Sequence, residues 1–252
     1  RFRADGILIP NLHKALFVVR YLSTLRMDET IHINVELHKT DTDYIAVTKT
    51  RLWSYLPPTL GWLMKSRIPA SASIQGGVSF TIINNLAILV EGFITDLLVG
   101  HLDKYELVKS REILNLESSS WENKMKKFKS FFKKDFQTFP EYQSIDILFD
   151  LRNNFSHGRT YLEKSTRDIS TGKEAPIESV NSNYQKARQY LISRNVIKVK
   201  SLQANEVFWN LSVAFFLFLE VKSFLFRTIE NVEFNSKKSI LAELQTAYQN
   251  AI

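Results

Sequence analysis

The longest regular pattern in this sequence is a run of apolar residues spaced three or four positions apart, from Ser79 to about Leu98. Such spacing places the apolar side chains on one face of an α-helix. A second run, Glu206–Glu230, is apolar almost throughout. Glycine and proline, which interrupt helices, number only 8 and 6 among 252 residues. The chain is therefore predicted to be mainly α-helical, with both runs in its core.

The N-terminal part of the chain changes pattern from helical to alternating. Residues 10–26 have helical spacing, whereas Ile31–Leu37 alternates apolar with polar residues, as a β-strand does. After the polar turn His38–Asp43, the segment Tyr44–Thr48 is a second candidate strand. These segments predict a helix followed by a small β-hairpin.

A change in composition marks a domain boundary. Small and polar residues fill Ser66–Gly77, together with Pro69 and two glycines. We therefore expect an N-terminal extension over 1–77, with a regulatory or dimerisation role, and a helical domain over 78–252. Within that domain, residues 163–183 are polar and predict an exposed excursion. Other predicted elements are helices over Leu102–Leu116, Trp121–Phe136, Glu141–Phe155, Tyr184–Arg194 and Lys237–Ile252, and a short strand over Val196–Lys200.

The composition excludes several classes of chemistry. The chain contains no cysteine, so disulfides, zinc–cysteine sites and thiol catalysis are excluded. It has no phosphate-binding glycine loop, no nucleophile-elbow serine motif and no dinucleotide fingerprint. We see no convincing metal-ligand cluster and expect neither a metal nor a cofactor. The net charge of +7, from 33 basic and 26 acidic residues, favours a nucleic-acid or other anionic partner.

Two apolar runs resemble membrane spans in composition. Thr81–Gly100 carries Glu91 and Asp96, while Val207–Leu219 is short and ends at Glu220. A span needs about 20 apolar residues with few charges, so both runs are predicted to be buried core helices. We expect a cytoplasmic protein without a membrane partner, although the chain does not open on methionine and an upstream targeting signal stays open.

The segment Ile145–Tyr161, IDILFDLRNNFSHGRTY, combines an arginine, an asparagine and a histidine at close spacing. Arg152 is followed directly by Asn153, and His157 comes after four intervening residues. RNA is cleaved when its own 2′-hydroxyl attacks the adjacent phosphate, which requires a base for that hydroxyl and an acid for the leaving oxygen. Histidine suits both tasks because its pKa of about 6.5 lies near working pH. Arginine's permanent planar charge suits the phosphorane, and no metal is required.

This motif resembles the R-x4-6-H signature of HEPN domains, which are helical domains of prokaryotic toxins, phage-defence proteins and RNA-processing enzymes. The apolar lead-in ILFDL, the asparagine after the arginine and Gly158 after the histidine match its usual form. The resemblance covers about Ser79–Glu230 in architecture and is specific only over Asp150–Gly158. Some members have tyrosine two places after the histidine, where this chain has Arg159.

The resemblance implies a HEPN-like helical bundle and a metal-independent endoribonuclease in toxin or antiphage defence. His157 is then the acid or base, Arg152 stabilises the phosphorane, and Asn153 positions one of the two. Glu91, in an earlier helix, is expected either to hold Arg152 or to tune His157, unless it is only a partly exposed flanking residue. The implied partners are RNA, a second copy that completes the active site, and a regulatory or antitoxin protein.

The spacing within the motif suggests how its residues are presented. Positions five apart lie roughly 140° apart around a helix, so Arg152 and His157 do not share a face of one regular helix, whereas Asn153 and His157 do. The core-facing residues are predicted to be Ile147, Leu148, Leu151 and Phe155. Two further apolar residues, Ile145 and Phe149, lie off that stripe. A helix that is apolar on two sides usually buries both, from which we expect a symmetric dimer.

A lysine-rich helix is the candidate RNA-binding surface. Six lysines between Lys124 and Lys134 alternate with apolar and aromatic residues, a pattern that can follow an RNA backbone. Lys124, Lys127 and Arg159 are the proposed RNA-binding residues. The aromatic positions also fit an ordinary core stripe beneath a solvated lysine face, and this alternative stays open.

A second class of function also fits the sequence. Arg152 and His157 can be a structural pair near a helix end, in which case the chain is a non-catalytic helical module that binds RNA or a protein. Binding by such a module would survive substitution of His157. Oligomeric state separates the two hypotheses, because a strict monomer favours the binding module.

Overall fold

The computed structural model confirms that the chain is mainly helical. It divides into two compact units, Arg1–Thr50 and Arg51–Ile252. The predicted helix over 10–26 lies outside the described residues, as does all but the first residue of the one over Leu102–Leu116. The structure describes residues 34–39, 44–49, 51–66, 71–102, 119–156, 163–164, 169–173, 178–179, 182–198, 210–233 and 237–251.

The described part of the first unit is the predicted hairpin. Strand β1 (Asn34–Lys39) pairs antiparallel with strand β2 (Tyr44–Lys49). The register sets Lys39 opposite Tyr44, and residues 40–43 between them lie outside the described residues. The alternating pattern therefore located both strands. Strand β1 extends two residues past its predicted end, and strand β2 extends one residue past its own.

The described residues of the second unit form α-helices with short connecting elements. The 3-10 helices Leu52–Tyr55 and Phe136–Thr138 precede the first and fourth α-helices, and strands β3 (Glu163–Lys164) and β4 (Glu178–Ser179) pair antiparallel within the predicted excursion. The strand predicted over Val196–Lys200 is absent from its described residues 196–198. The α-helices are α1 Leu56–Lys65, α2 Ala72–Leu102, α3 Trp121–Phe132, α4 Tyr142–Ser156, α5 Ser182–Ser193, α6 Leu211–Glu230 and α7 Lys237–Gln249.

Helix α2 is the central element of the second unit. It packs against α6, α3, α4 and α1, and ten of its apolar residues between Ile82 and Leu98 are fully buried. Full burial of a large apolar side chain stabilises the fold by about 1.5–3 kcal/mol. The periodicity that predicted this helix therefore reflects the burial that holds it in place.

The division between units lies earlier than the boundary we predicted at Ser66–Gly77. Helix α2 begins at Ala72 and runs through Gly76 and Gly77 without interruption. Each glycine weakens a helix by only about 0.5–1 kcal/mol, which burial of the rest of α2 outweighs. The segment before α2 belongs to the helical unit because Trp53 and Leu60 are buried in its core.

Helix α3 ends four residues before the predicted end at Phe136. Lys133 adopts a left-handed conformation with φ of 55° and caps the helix. Asp135 then begins the 3-10 helix by accepting a hydrogen bond from the backbone N–H of Gln137 (3.0 Å). A left-handed lysine is uncommon, and the amphipathic pattern of α3 gives no sign of it.

A buried ion-pair cluster joins three segments of the helical unit. Arg51, whose side chain is 8% exposed, donates from Nε to Asp96 of α2 (2.7 Å) and from a terminal nitrogen to Glu243 of α7 (2.6 Å). Burial opposes the charge of Arg51, but the two carboxylates raise its pKa above the ordinary value. The first residue of this unit is thereby tied to its central and last described helices.

One described helix is long and apolar enough to cross a membrane. This segment, Ile74–His101, has a mean hydropathy of 1.7 in its most apolar window, and 56% of that window is buried inside the protein. Such burial is what a core helix requires, and both charges that we noted in this run have arginine partners within the helical unit.

We expect Gly61→Ala to destabilise the protein and Gly77→Ala to stabilise it. A Cβ at Gly61 would lie 2.0 Å from the carbonyl oxygen of Ala251, whereas one at Gly77 meets nothing within 4 Å. Overpacking costs about 1–3 kcal/mol, while alanine in an exposed helix gains about 0.5–1 kcal/mol over glycine. Urea unfolding measures both changes, and equal shifts for the two variants would contradict the close α1–Ala251 approach.

Candidate functional site

Helix α4 carries most of the Asp150–Gly158 motif, and its core face is as predicted. Ile147, Leu148 and Leu151 are fully buried, and Phe155 is 9% exposed. The structure describes the motif as far as Ser156, where α4 ends. The motif helix is therefore part of the core, and its packing determines which of its side chains face the solvent.

Polar contacts fix the start of α4 against α5 and α6. Ser144 donates to Glu220 of α6 (2.5 Å) and hydrogen-bonds the hydroxyl of Tyr190 in α5 (2.6 Å). Just before α4, Glu141 accepts three hydrogen bonds of 2.9–3.1 Å from Arg227 of α6. Charge-assisted, bidentate bonds of this kind are specific in geometry, so they fix the position and rotation of α4.

The second apolar face of α4 is covered by the chain itself, which contradicts our reason for expecting a dimer. Ile145 is fully buried and Phe149 is 4% exposed. The Phe149 ring stacks on Trp121 of α3 with centroids 4.3 Å apart. Hydrophobicity alone could not tell an intramolecular partner from a second copy. The apolar face beside the motif therefore gives no support to a dimer.

Arg152 is held in place by two neighbours. Its terminal nitrogen lies 3.1 Å from a carboxylate oxygen of Glu91 in α2, with the two side chains 28% and 24% exposed. Its guanidinium carbon lies 5.3 Å from the centroid of the Phe149 ring, within the range of a cation–π contact. The structure thus pairs Glu91 with Arg152, which was one of the two roles considered for Glu91.

Two aspartates beside Arg152 share one lysine. Lys186 of α5 forms ion pairs with Asp146 and, at 3.3 Å, with Asp150. Burial raises the pKa of Asp150; Lys186 lowers it and Asp146 raises it, and the net direction is upward. Burial, followed by the charge of Asp146, likewise raises the pKa of the neighbouring Tyr142 hydroxyl. This stretch of α4 is therefore a partly buried polar surface with a perturbed carboxyl group, a common property of functional sites.

A cavity of about 740 Å³ opens between α3, α4 and α2 and includes this surface. The volume falls within the range of about 300–1,000 Å³ that is usual for ligand sites. Two donors on its lining residues, Trp121 Nε1 and Arg152 Nε, are buried without an acceptor among the described residues. The lining residues are Glu91, Ser120, Trp121, Glu122, Met125, Lys126, Lys129, Asp135, Gln137, Tyr142, Asp146, Phe149, Asp150, Arg152 and Asn153.

The predicted site residues differ in burial and in whether they line the cavity. Asn153 is exposed at the cavity wall beside Arg152, whereas His157 and Arg159 lie outside the described residues. Lys124 is only 4% exposed, so the RNA-binding role we assigned to it does not fit its burial. Lys127 is half-buried and does not line the cavity. In the part of the chain that is described, no group of three His, Asp or Glu residues could hold a metal ion.

Sequence reasoning missed several residues of the cavity. Lys126 and Lys129 belong to the predicted lysine cluster and are the two that line the cavity. On α4, Tyr142, Asp146 and Asp150 lie four residues apart, and such spacing places side chains on one face of a helix. That polar stripe, which ends at Asn153, was the signal that could have identified them.

Comparison with known proteins finds no matching family model, no matching curated protein and no matching solved structure. The resemblance to HEPN domains therefore depends on the motif residues themselves.

We expect Asp150→Asn to change the pH dependence of stability in a defined direction. A carboxyl group with a raised pKa binds its proton more tightly when folded, so its contribution to stability falls as pH rises from 3.8 through the raised pKa. The free energy of unfolding of the variant, relative to wild type, should therefore increase over that interval. Urea unfolding at several pH values measures this difference.

Asp135→Asn is the matched control, with the opposite sign. The hydrogen bond from Lys129, followed by that from Gln137, lowers the pKa of Asp135. Its contribution to stability is present above its ordinary pKa and is lost as pH falls through the lowered pKa. The relative stability of this variant should therefore decrease as pH rises. Parallel curves for the two variants would contradict the assigned environments.

Proposed function

We propose that this protein is a metal-independent endoribonuclease of the HEPN type. The observation that carries the proposal is that Arg152, the arginine of the motif, is held by Glu91 at the wall of a 740 Å³ cavity that also contains Asn153. A fixed arginine beside an open cavity is suited to an anionic transition state. The motif resemblance and the net charge of +7 support the same assignment.

The proposed reaction is intramolecular transfer within RNA. The 2′-hydroxyl attacks the adjacent phosphorus, and the bond from phosphorus to the 5′-oxygen of the next nucleotide breaks. His157 acts as the acid or base for these proton transfers, and Arg152 stabilises the charge of the phosphorane. The products are a 2′,3′-cyclic phosphate and a free 5′-hydroxyl, and neither an oxidant nor a metal enters the balance.

Glu91 and Asn153 have supporting roles in this proposal. Glu91 pairs with Arg152 and fixes its guanidinium, which makes Glu91 a positioning residue. Asn153 precedes His157 by four residues in the sequence, the spacing at which an amide on a helix could orient an imidazole. The resemblance further implies a dimer with a composite site, an RNA target in toxin or antiphage defence, and a regulatory or antitoxin partner.

We expect His157→Ala to lower RNA cleavage about 100- to 10,000-fold, the usual contribution of general acid–base catalysis. Arg152→Ala should lower it about 100- to 1,000-fold through loss of phosphorane stabilisation. The measurement is cleavage of labelled RNA with a chelator present, with the cyclic phosphate identified by mass spectrometry.

The matched control for these variants is Ser156→Ala. Ser156 is exposed, neighbours position 157 in the sequence and donates to the backbone carbonyl of Arg152 (2.8 Å), so this variant should cleave like wild type. An active His157→Ala protein would reject the assignment. RNA binding that persists without any cleavage by wild type would favour the alternative, a non-catalytic helical binding module.

We expect Glu91→Gln to lower kcat by about 10- to 100-fold, because a displaced catalytic group has an effect of that size. KM and the free energy of unfolding should change little, since Glu91 is partly exposed and Gln has the same shape. Glu243→Gln is the control, as it removes a carboxylate from another arginine, Arg51. It should lower stability and leave kcat unchanged. A purely structural Glu91 would give the same result as Glu243.

A further inference from the structure

We infer that the cavity between α3 and α4 binds the base of one unpaired nucleotide of RNA, while the exposed lysines of α3 bind the flanking phosphates. This inference rests on the proposed function and names the form of RNA that the site accepts. It is carried by the cavity's volume, its apolar floor and the distribution of its charges.

The interior of the cavity suits a flat, neutral group. Trp121, Met125 and Phe149 supply its apolar lining, with Trp121 stacked on Phe149. The volume of about 740 Å³ is in the range for a small organic ligand. A nucleobase has both an apolar face and polar edges, and the lining offers both apolar and polar side chains.

The charges of the lining argue against a phosphate in the interior. Five carboxylates and three cations line the cavity, and two of those carboxylates also pair with Lys186. Away from Arg152, where the proposed scissile phosphate lies, the remaining carboxylates outnumber the remaining cations of the lining and would repel a phosphate. The amino groups of a base, in contrast, donate hydrogen bonds to carboxylates. The base therefore belongs inside the cavity, with the scissile phosphate at Arg152 on its wall and the flanking phosphates outside it.

Exposed lysines lie on α3 and just after its C-terminal end. Lys126 lines the cavity, is exposed and has no ion pair among the described residues, and the exposed Lys133 and Lys134 follow the C-terminal end of α3. Lysines in this arrangement follow a nucleic-acid backbone by neutralising its phosphates. Bases within a duplex are stacked and paired, so only an unpaired base enters a cavity of this kind.

The test is binding of short fluorescent RNAs to the full chain carrying His157→Ala, which prevents cleavage during the measurement. Three probes of equal length are compared: oligoadenylate, a strand of abasic residues with the same phosphates, and oligoadenylate annealed to its complement. We expect the abasic strand to bind about 10-fold or more weakly than oligoadenylate, as loss of one bound base predicts. The duplex should also bind more weakly. Equal affinity for oligoadenylate and the abasic strand would overturn the inference, and so would no binding at all.

Variants separate the two parts of the inferred site. Met125→Trp fills the cavity and should abolish the preference for oligoadenylate over the abasic strand, while Met125→Leu should retain it. Gln137→Trp, at an exposed position of the 3-10 helix Phe136–Thr138, fills the cavity from a second element if Met125→Trp does not fold. Lys126→Glu should lower the salt dependence of binding by about 0.7 in the log–log slope. The exposed Lys238→Glu on α7 should not. A preference unaffected by a folded cavity-filling variant would overturn the inference.

Failure of this inference is distinguishable from failure of the proposed function. A base preference without cleavage by wild type would retain the nucleotide site and reject the nuclease. Cleavage by wild type without any base preference would retain the nuclease and reject the nucleotide site.

Discussion

Burial of α2 is the constraint on which the rest of the helical unit depends. This single long helix contacts α1, α3, α4 and α6, so its placement determines the position of each of these four helices. Its two acidic residues lie at the edge of the buried face, where each meets an arginine from another segment: Asp96 meets Arg51 and Glu91 meets Arg152. An unpaired charge near the core would be costly. The residues that interrupt this apolar run are thus the ones that connect α2 to the unit's beginning and to the motif.

Sequence periodicity correctly predicted those features that depend on the residues of a single segment. The helical spacing located α2 and α6, the alternation located the hairpin, and the core face of α4 was correct at Ile147, Leu148 and Leu151. Features that depend on contact between distant segments were missed. The stacking of Phe149 on Trp121 and the burial of Lys124 follow from how α3 lies on its neighbours, which hydrophobicity along one helix does not encode. The left-handed Lys133 that ends α3 is a further example.

The candidate site illustrates the same limit. The motif drew attention to Arg152 and Asn153, and the ion pair between Glu91 and Arg152 was one of the alternatives that the sequence left open. The cavity itself lies where α3, α4 and α2 meet and is lined by aromatic and charged side chains from these helices. Burial disfavours the charged form of Asp150 and raises its pKa, so the ionised carboxylate is destabilised at this position. Groups held in unfavourable environments are more often found at functional sites than elsewhere, and this one neighbours the motif arginine.

The contacts of Arg152 have a consequence for entropy. A free arginine side chain samples many rotamers, and fixing it costs up to about 2 kcal/mol. Here Glu91 restrains the guanidinium from one direction and the Phe149 ring from another, so that ordering occurs as the protein folds. An anion that reaches Arg152 encounters a cation with few conformations left to lose. The direction of the guanidinium is therefore determined by α2 and α4 when the protein folds, and an anion bound there would meet it already in place.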